Sequence, residues 1–172
     1  KENIDRLKNF GIINESEIEQ VGINGKMHEF SAALGLLQLT KAAKAIDKRR
    51  AIDSIYRENL LGLSEIHCFE IKCKAPNYSY FPIFTSNTAS CSRDDLYESL
   101  KHANVHCRRY FYPTISTLPQ YSRISDEPFV KALDASNRVL CLPIYPDLTA
   151  DNCIRVSQLI TDIVRPPRLR KS

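Results

Sequence analysis

The chain has 172 residues, 43% hydrophobic and 26% charged, with a net charge of +4. That length buries a real core within one globular domain without a disulfide or metal, and five glycines and nine scattered prolines exclude collagen-like or low-complexity architecture. No apolar run reaches the roughly 20 residues of a membrane-spanning helix, and so mild a charge, partly carried by Arg165, Arg168, Arg170 and Lys171 after Pro166-Pro167, gives no ground for nucleic-acid binding.

In chain order, the first long helical pattern begins near Met27 and carries Phe30, Ala33, Leu34, Leu37, Ile46 and Ile55, with Gly62 after Leu61 as a C-cap. Some thirty residues at about 1.5 Å each exceed what a compact domain of this size needs, so the helix reads as a bridge between domains, with Thr40 the place for a bend. Ile66 to Lys72 and Tyr78 to Thr85 read as two antiparallel strands joined by a turn at Ala75-Pro76-Asn77, the second an edge or bulged strand because Pro82 lacks a donor. Ser92 and Asp95 form a capping-box signature ahead of a helix with Leu96, Leu100 and Ala103 on one face, ending near Asn104. Val105 to Tyr110 reads as a strand, Pro128 to Ser136 as a short helix opened by its proline, and Val139 to Ile144 as a further strand. Thr149 caps a last helix carrying Cys153, Val156, Ile160 and Ile163. The sum is an α+β domain: a long helix, then a small, mainly antiparallel sheet of three or four strands with helices on one side.

Six cysteines, at 68, 73, 91, 107, 141 and 153, follow a charged, amphipathic start from Lys1 to Arg6 rather than an apolar leader, so reduced thiols in a cytoplasmic protein are expected. Cys107, Cys141 and Cys153 sit among apolar neighbours and are assigned to the core. No pair has metal-ligand spacing, so no metal site is assigned. The four histidines share no spacing that unites them, and nothing matches a nucleophile elbow, a phosphate-binding loop or a zinc-protease motif.

Two stretches carry chemistry. Gly22-Ile23-Asn24-Gly25-Lys26-Met27 places an amide and a cation ahead of the long helix, where backbone N–H groups attract anions and Asn24 can donate to a phosphate oxygen. The same residues suit a plain turn with positive φ at Asn24 and Gly25. Arg108-Arg109-Tyr110-Phe111-Tyr112-Pro113 crowds two guanidinium groups and three rings at a strand end, suited to an anionic or ring-shaped ligand or, equally, to an aromatic core flanked by solvated arginines.

Those stretches, in that order, resemble the DegT/DnrJ/EryC1/StrS family of pyridoxal-phosphate (PLP) sugar aminotransferases. Leu7-Lys8-Asn9-Phe10-Gly11-Ile12 is similar to its "lrnfG" segment, Gly22 to Met27 to its "G-x-N-x-R/K-M" turn, and Ala32 to Leu39 to its "AA-x-G-L-x-Q-L" helix. Arg49-Arg50 before Tyr56, the Arg108 to Pro113 stretch and Leu142 to Thr149 resemble later landmarks, so the likeness runs from about residue 6 to 163. His28 departs from it at the helix start, where relatives commonly have Ser, Thr or Asp, and so does Thr114 after Pro113.

The resemblance implies the C-terminal small domain of a fold-type I aminotransferase: residues 1–26 linking it to a large PLP-binding domain, 27–164 the small domain opened by the long helix, and 165–172 a basic tail. It implies that Asn24 reaches across a homodimer to the phosphate of the partner subunit's PLP, and that Arg108, Tyr110 and Tyr112 are candidate substrate contacts. The lysine that tethers PLP is expected upstream, so no catalytic residue falls in this chain, which alone is expected to be inert. The activity implied moves an amino group from glutamate to a nucleotide-linked keto sugar, for cell-surface polysaccharide or related sugar synthesis. A PLP-dependent sugar dehydratase of the same family, or a non-catalytic binding module, stays open.

Overall fold

The computed structural model describes residues 1–87, 89–121 and 129–166. Pro128, expected in a helix's first turn, and Arg168, Arg170 and Lys171 of the basic tail lie outside them. The chain is α+β and divides into two compact units, Lys1–Ala43 and Lys44–Ser172, the boundary falling inside the long helix.

In the first unit, α1 (Glu2–Leu7) leads into a small antiparallel hairpin of β1 (Ile12–Asn14) and β2 (Glu17–Ile18). Asn14 Oδ1 accepts from the Ser16 N–H at 3.0 Å and forms the reversal. Gly22 to Gly25 then runs antiparallel to the end of α1: Ile23 N donates to Leu7 O at 2.8 Å, Phe10 N to Ile23 O at 3.1 Å and Gly25 N to Lys8 O at 2.8 Å. A Cβ at Gly22 would sit 2.3 Å from the Gly11 nitrogen, and one at Gly11, whose φ is +76°, would lie 1.7 Å from the Gln20 carbonyl. Glycine at both positions lets the segments touch.

The long helix α2 (Glu29–Leu60) is unbroken through Thr40, whose hydroxyl donates to Leu37 O. It starts without a Ser, Thr or Asp cap; His28 Nδ1 accepts from Phe30 N at 3.3 Å instead. Gly62, φ +79°, follows its end as expected.

The second unit is built on a three-stranded antiparallel sheet, β3 (Ile66–Cys68), β4 (Phe81–Thr85) and β5 (Val139–Leu142), in the order β3-β4-β5. Alternation along β4 puts Phe81, Ile83 and Thr85 on the core face, in register with Ile66 and Cys68 on one side and Leu140 and Leu142 on the other. That face is covered by Ile52, Tyr56 and Leu60 of α2, by Leu96 and Leu100 of α3 (Arg93–His102), and by Cys153, Val156 and Ile160 of α5 (Ala150–Val164). Tyr56 is fully buried, its ring 5.0 Å from Phe81 and its hydroxyl donating to Pro143 O at 3.0 Å. α4 (Val130–Arg138) feeds directly into β5.

Two expectations change. β4 is central, not an edge, and Pro82 sits in it without a bulge, paired with Cys141. Its nitrogen faces the β3 side, where β3 has just ended: Phe69 N donates to Pro82 O at 3.2 Å, and the Phe69 carbonyl takes its hydrogen bond from Arg57 Nη2 at 3.0 Å. The strand expected over Val105 to Tyr110 contracts to one bridge, Arg108 pairing with Cys141 on the free edge of β5.

Candidate functional site

In the first unit the Gly22 to Met27 segment is extended; neither Asn24 nor Gly25 has positive φ, so the turn reading fails. Asn24 bridges Asn9, which locks the "lrnfG"-like segment against the "G-x-N-x-K-M"-like one. The N–H groups of Ile23 and Gly25 are spent on Leu7 and Lys8 carbonyls and cannot serve an anion. What remains is the Asn24 carboxamide, exposed and without a side-chain hydrogen bond among the described residues, and Lys26, whose ammonium lies 5.6 Å from the Phe10 ring. A rigidly held backbone presenting an unengaged amide fits one contact to a phosphate oxygen.

In the second unit the Arg108 to Pro113 stretch divides. Arg108 donates to the Tyr110 hydroxyl and packs 5.5 Å from its ring, and Tyr80 meets Tyr110 edge-on at 5.5 Å. Tyr112 belongs to a separate cluster, its ring 4.7 Å from the Arg93 guanidinium and 5.5 Å from that of Arg109. Arg93, 2% exposed, donates to the Ser136 and Val139 carbonyls at 2.9 and 3.0 Å and pins α3 to the α4–β5 junction. Asp94 accepts from Arg93 and Arg109, each at 2.9 Å; burial pushes its pKa up, but these hydrogen bonds and charges outweigh it and hold the carboxyl below the usual range. The three substrate-contact candidates are therefore two at one place, Arg108 and Tyr110, and one at another, Tyr112.

Arg108 also lines an open cavity of about 270 Å³ at the exit of β5, with Arg49, Ser79, His106, Cys141 and Tyr145. Cys141 adds no negative charge, because burial pushes its thiol up. Sequence reasoning did not assign Arg49 or His106 to a site: the spacing of Arg49-Arg50 on a helix leaves open which arginine faces the sheet, and His106 reads as one more strand residue.

The long helix, the three-stranded antiparallel sheet covered on one face and the paired "lrnfG"/"G-x-N-x-K-M" segment make up an α+β fold of the aminotransferase type. The chain belongs to the DegT/DnrJ/EryC1/StrS aminotransferase family, which it matches over residues 1–161. It is 44% identical over 164 residues to a dTDP-4-amino-4,6-dideoxy-D-glucose transaminase of Escherichia coli, covering 93% of this chain and 44% of the relative. It is 31% identical over 160 residues to a GDP-perosamine synthase of Vibrio cholerae, covering 87% of this chain and 43% of the relative. Among solved structures it is similar to DesI, crystallised in the presence of its TDP-sugar product, at 29% identity with a TM-score of 0.80 over 95% of this chain and 43% of DesI. The fold is also that of S. venezuelae DesV, at 22% identity with a TM-score of 0.82 over 96% of this chain and 44% of DesV. The chain thus spans less than half the length of these relatives.

Proposed function

We propose that these residues act within a longer, cytoplasmic, homodimeric PLP enzyme that transfers an amino group from glutamate to a nucleotide-linked keto sugar, for cell-surface polysaccharide or related sugar synthesis. The observation that carries the reading to these residues is Asn24: in a segment whose neighbouring N–H groups are consumed, its carboxamide stays exposed and, among the described residues, without a hydrogen bond. In that enzyme Asn24 would hold the phosphate of the partner subunit's PLP, and Arg108, Tyr110 and Tyr112 would contact substrate. PLP, when bound, supplies the electron sink that makes the proton α to the amino group labile. In this reading the lysine that would tether it and move that proton lies outside residues 1–172.

One charge-assisted hydrogen bond contributes about 1.5–3 kcal/mol, well short of the roughly 8 kcal/mol of a micromolar complex. Residues 1–172 alone are therefore expected to be catalytically inert. The test is the visible spectrum of the full-length gene product with PLP, before and after glutamate. A band of lysine-bound cofactor that glutamate converts to the amine form supports transamination. A spectrum of untethered PLP, unchanged by glutamate, overturns it in favour of the dehydratase. In the same protein, Asn24→Ala is expected to weaken PLP retention about tenfold, read by dialysis against phosphate buffer.

A further inference from the structure

Arg108 and Tyr110 engage each other, two residues apart. Tyr112 is held differently, through a chain of rings and guanidinium groups that begins on α3. Arg109 lies 4.4 Å from the Tyr97 ring and 5.5 Å from that of Tyr112, and Arg93 approaches the Tyr112 ring at 4.7 Å. Tyr112 is still 46% exposed, so part of its side chain stays open to a ligand.

Two cations on one ring repel each other, and a single atom opposes that repulsion. Asp94 Oδ1 accepts from Arg93 Nε and from Arg109 Nη1, each at 2.9 Å. Among the described residues no other carboxylate pairs with either arginine; Glu98, one turn along α3, pairs with Lys101. Asp94 itself sits in the first turn of α3, where a carboxylate suits the helix macrodipole, and the reciprocal cap of Ser92 and Asp95 fixes that turn without help from Tyr112. The two arginines differ in freedom. Arg93 is buried and donates to the Ser136 and Val139 carbonyls, so it keeps its place whether or not Asp94 is charged. Arg109, its side chain 34% exposed, reaches Asp94 from the surface. Removing the Asp94 charge therefore frees Arg109 from the ring and leaves Arg93 where it is.

We propose that Asp94 is a positioning residue for the nucleotide-linked sugar: through Arg109 it holds the Tyr112 ring in the orientation that meets the substrate. The assignment rests on the transaminase reading above, with Tyr112 as a contact. It goes beyond that reading by placing part of substrate recognition on α3, in a carboxylate that acts only through its neighbours. If freeing Arg109 lowers the share of molecules with a competent ring about fivefold, the apparent affinity for the sugar falls by the same factor.

The experiment is steady-state transamination by the PLP-loaded full-length protein, run from dTDP-4-amino-4,6-dideoxy-D-glucose, the compound in the name of the 44% identical relative, to 2-oxoglutarate. Asp94→Asn, which keeps the shape and removes the charge, is expected to raise the KM for the sugar about fivefold, with kcat changed by less than about twofold. Arg109→Gln leaves the Arg93–Asp94 pair in place and is expected to do the same, so the proposal stays testable if Asp94→Asn fails to fold. Tyr112→Leu is expected to raise the sugar KM as well, and Asp94→Asn added to it to raise it no further, because positioning acts through the ring. A wild-type sugar KM in both single variants overturns the proposal. So does a fall in kcat at unchanged KM, or a further rise when Asp94→Asn is added to Tyr112→Leu, which would place the effect elsewhere in α3. The glutamate conversion, run on the same wild-type sample, separates the two readings. Conversion combined with an unchanged sugar KM in Tyr112→Leu, or with no turnover of this sugar, removes the proposal and spares the transaminase reading. Absence of both conversion and turnover overturns the transaminase reading, and the proposal falls with it.

Discussion

Arg57 completes two structures at once. Its Nε and Nη2 grip both oxygens of Asp53, a carboxylate only 6% exposed, at 2.7 and 3.2 Å, and Nη2 also supplies the Phe69 carbonyl with the donor that Pro82 cannot give. The hydrogen bond to Asp53, its largest influence, raises the guanidinium pKa further, so Arg57 stays charged at every accessible pH. Arg57→Ala leaves a buried carboxylate without its partner and is expected to cost about 2–3 kcal/mol, the lower end for such pairs because Arg57 itself is partly exposed. A urea-denaturation midpoint checks this. Asp53→Ala/Arg57→Met, which removes the stranded charge and keeps an unbranched side chain beside the Phe81 ring, 5.3 Å from which the Arg57 guanidinium lies, should recover at least half of that loss; a double variant no better than Arg57→Ala would show that the guanidinium's own contacts, not the stranded charge, are what the substitution costs.

Among the elements, those marked by local chemistry were legible in the sequence. Ser92 and Asp95 form the expected reciprocal cap, Ser92 N to Asp95 Oδ2 at 3.0 Å and Asp95 N to Ser92 Oγ at 3.1 Å, and Thr149 accepts from Asn152 N at 3.3 Å at the start of α5. Elements that depend on distant partners were not. Pro82 reads as an edge residue because the sequence cannot show that β3 stops one residue before it needs a donor or that Arg57 replaces it. β1 and β2, of three and two residues, are too short for a period-two signal. Asn24 was legible as a motif but not as an extended segment clamped to Asn9. Arg165, which the sequence places at the start of the basic tail, is a similar long-range tie. Its Nε and Nη2 hold Glu65, Gly62 O and Ser64 Oγ, fastening the end of α5 to the entry of β3. The Arg165 hydrogen bond, then the backbone N–H, lowers the Glu65 pKa to about 2. A carboxyl lowered on folding stabilises above its unfolded value of about 4.3 and loses that contribution as pH falls towards 2. A carbon-detected NMR titration should place Glu65 well below the ordinary glutamate value, and Arg165→Gln should return it there; titration near the ordinary value in the wild-type protein would remove the tie as a pH-dependent contact.

At the scale of the whole molecule, burial is distributed very unevenly. In the second unit α2 behaves as an ordinary amphipathic helix, with Ile52, Tyr56 and Leu60 at i, i+4 and i+8 all under 5% exposed. In the first unit Gly11 is the one buried residue, and α2 there carries Phe30, Leu34 and Leu37 along one stripe at 82, 58 and 63% exposure, with Leu36 and Leu39 exposed on the other side. A helix apolar on more than one face belongs in an interior, and the relatives are more than twice as long as the stretch this chain matches. In the longer enzyme proposed above, the part outside residues 1–172 is the expected cover. Residues 1–172 expressed alone should therefore self-associate with rising concentration in sedimentation velocity and bind a hydrophobic dye, whereas the full-length protein should bind little. Residues 44–172, which contain the sheet and its helices, should be monomeric. Phe30→Glu/Leu37→Glu should suppress the association of 1–172 without lowering the thermal midpoint of the sheet unit, since neither side chain belongs to its core. A monomeric, dye-silent 1–172 would mean that the apolar helix finds its partner within the chain itself, and would favour a free-standing binding module over a part of an aminotransferase.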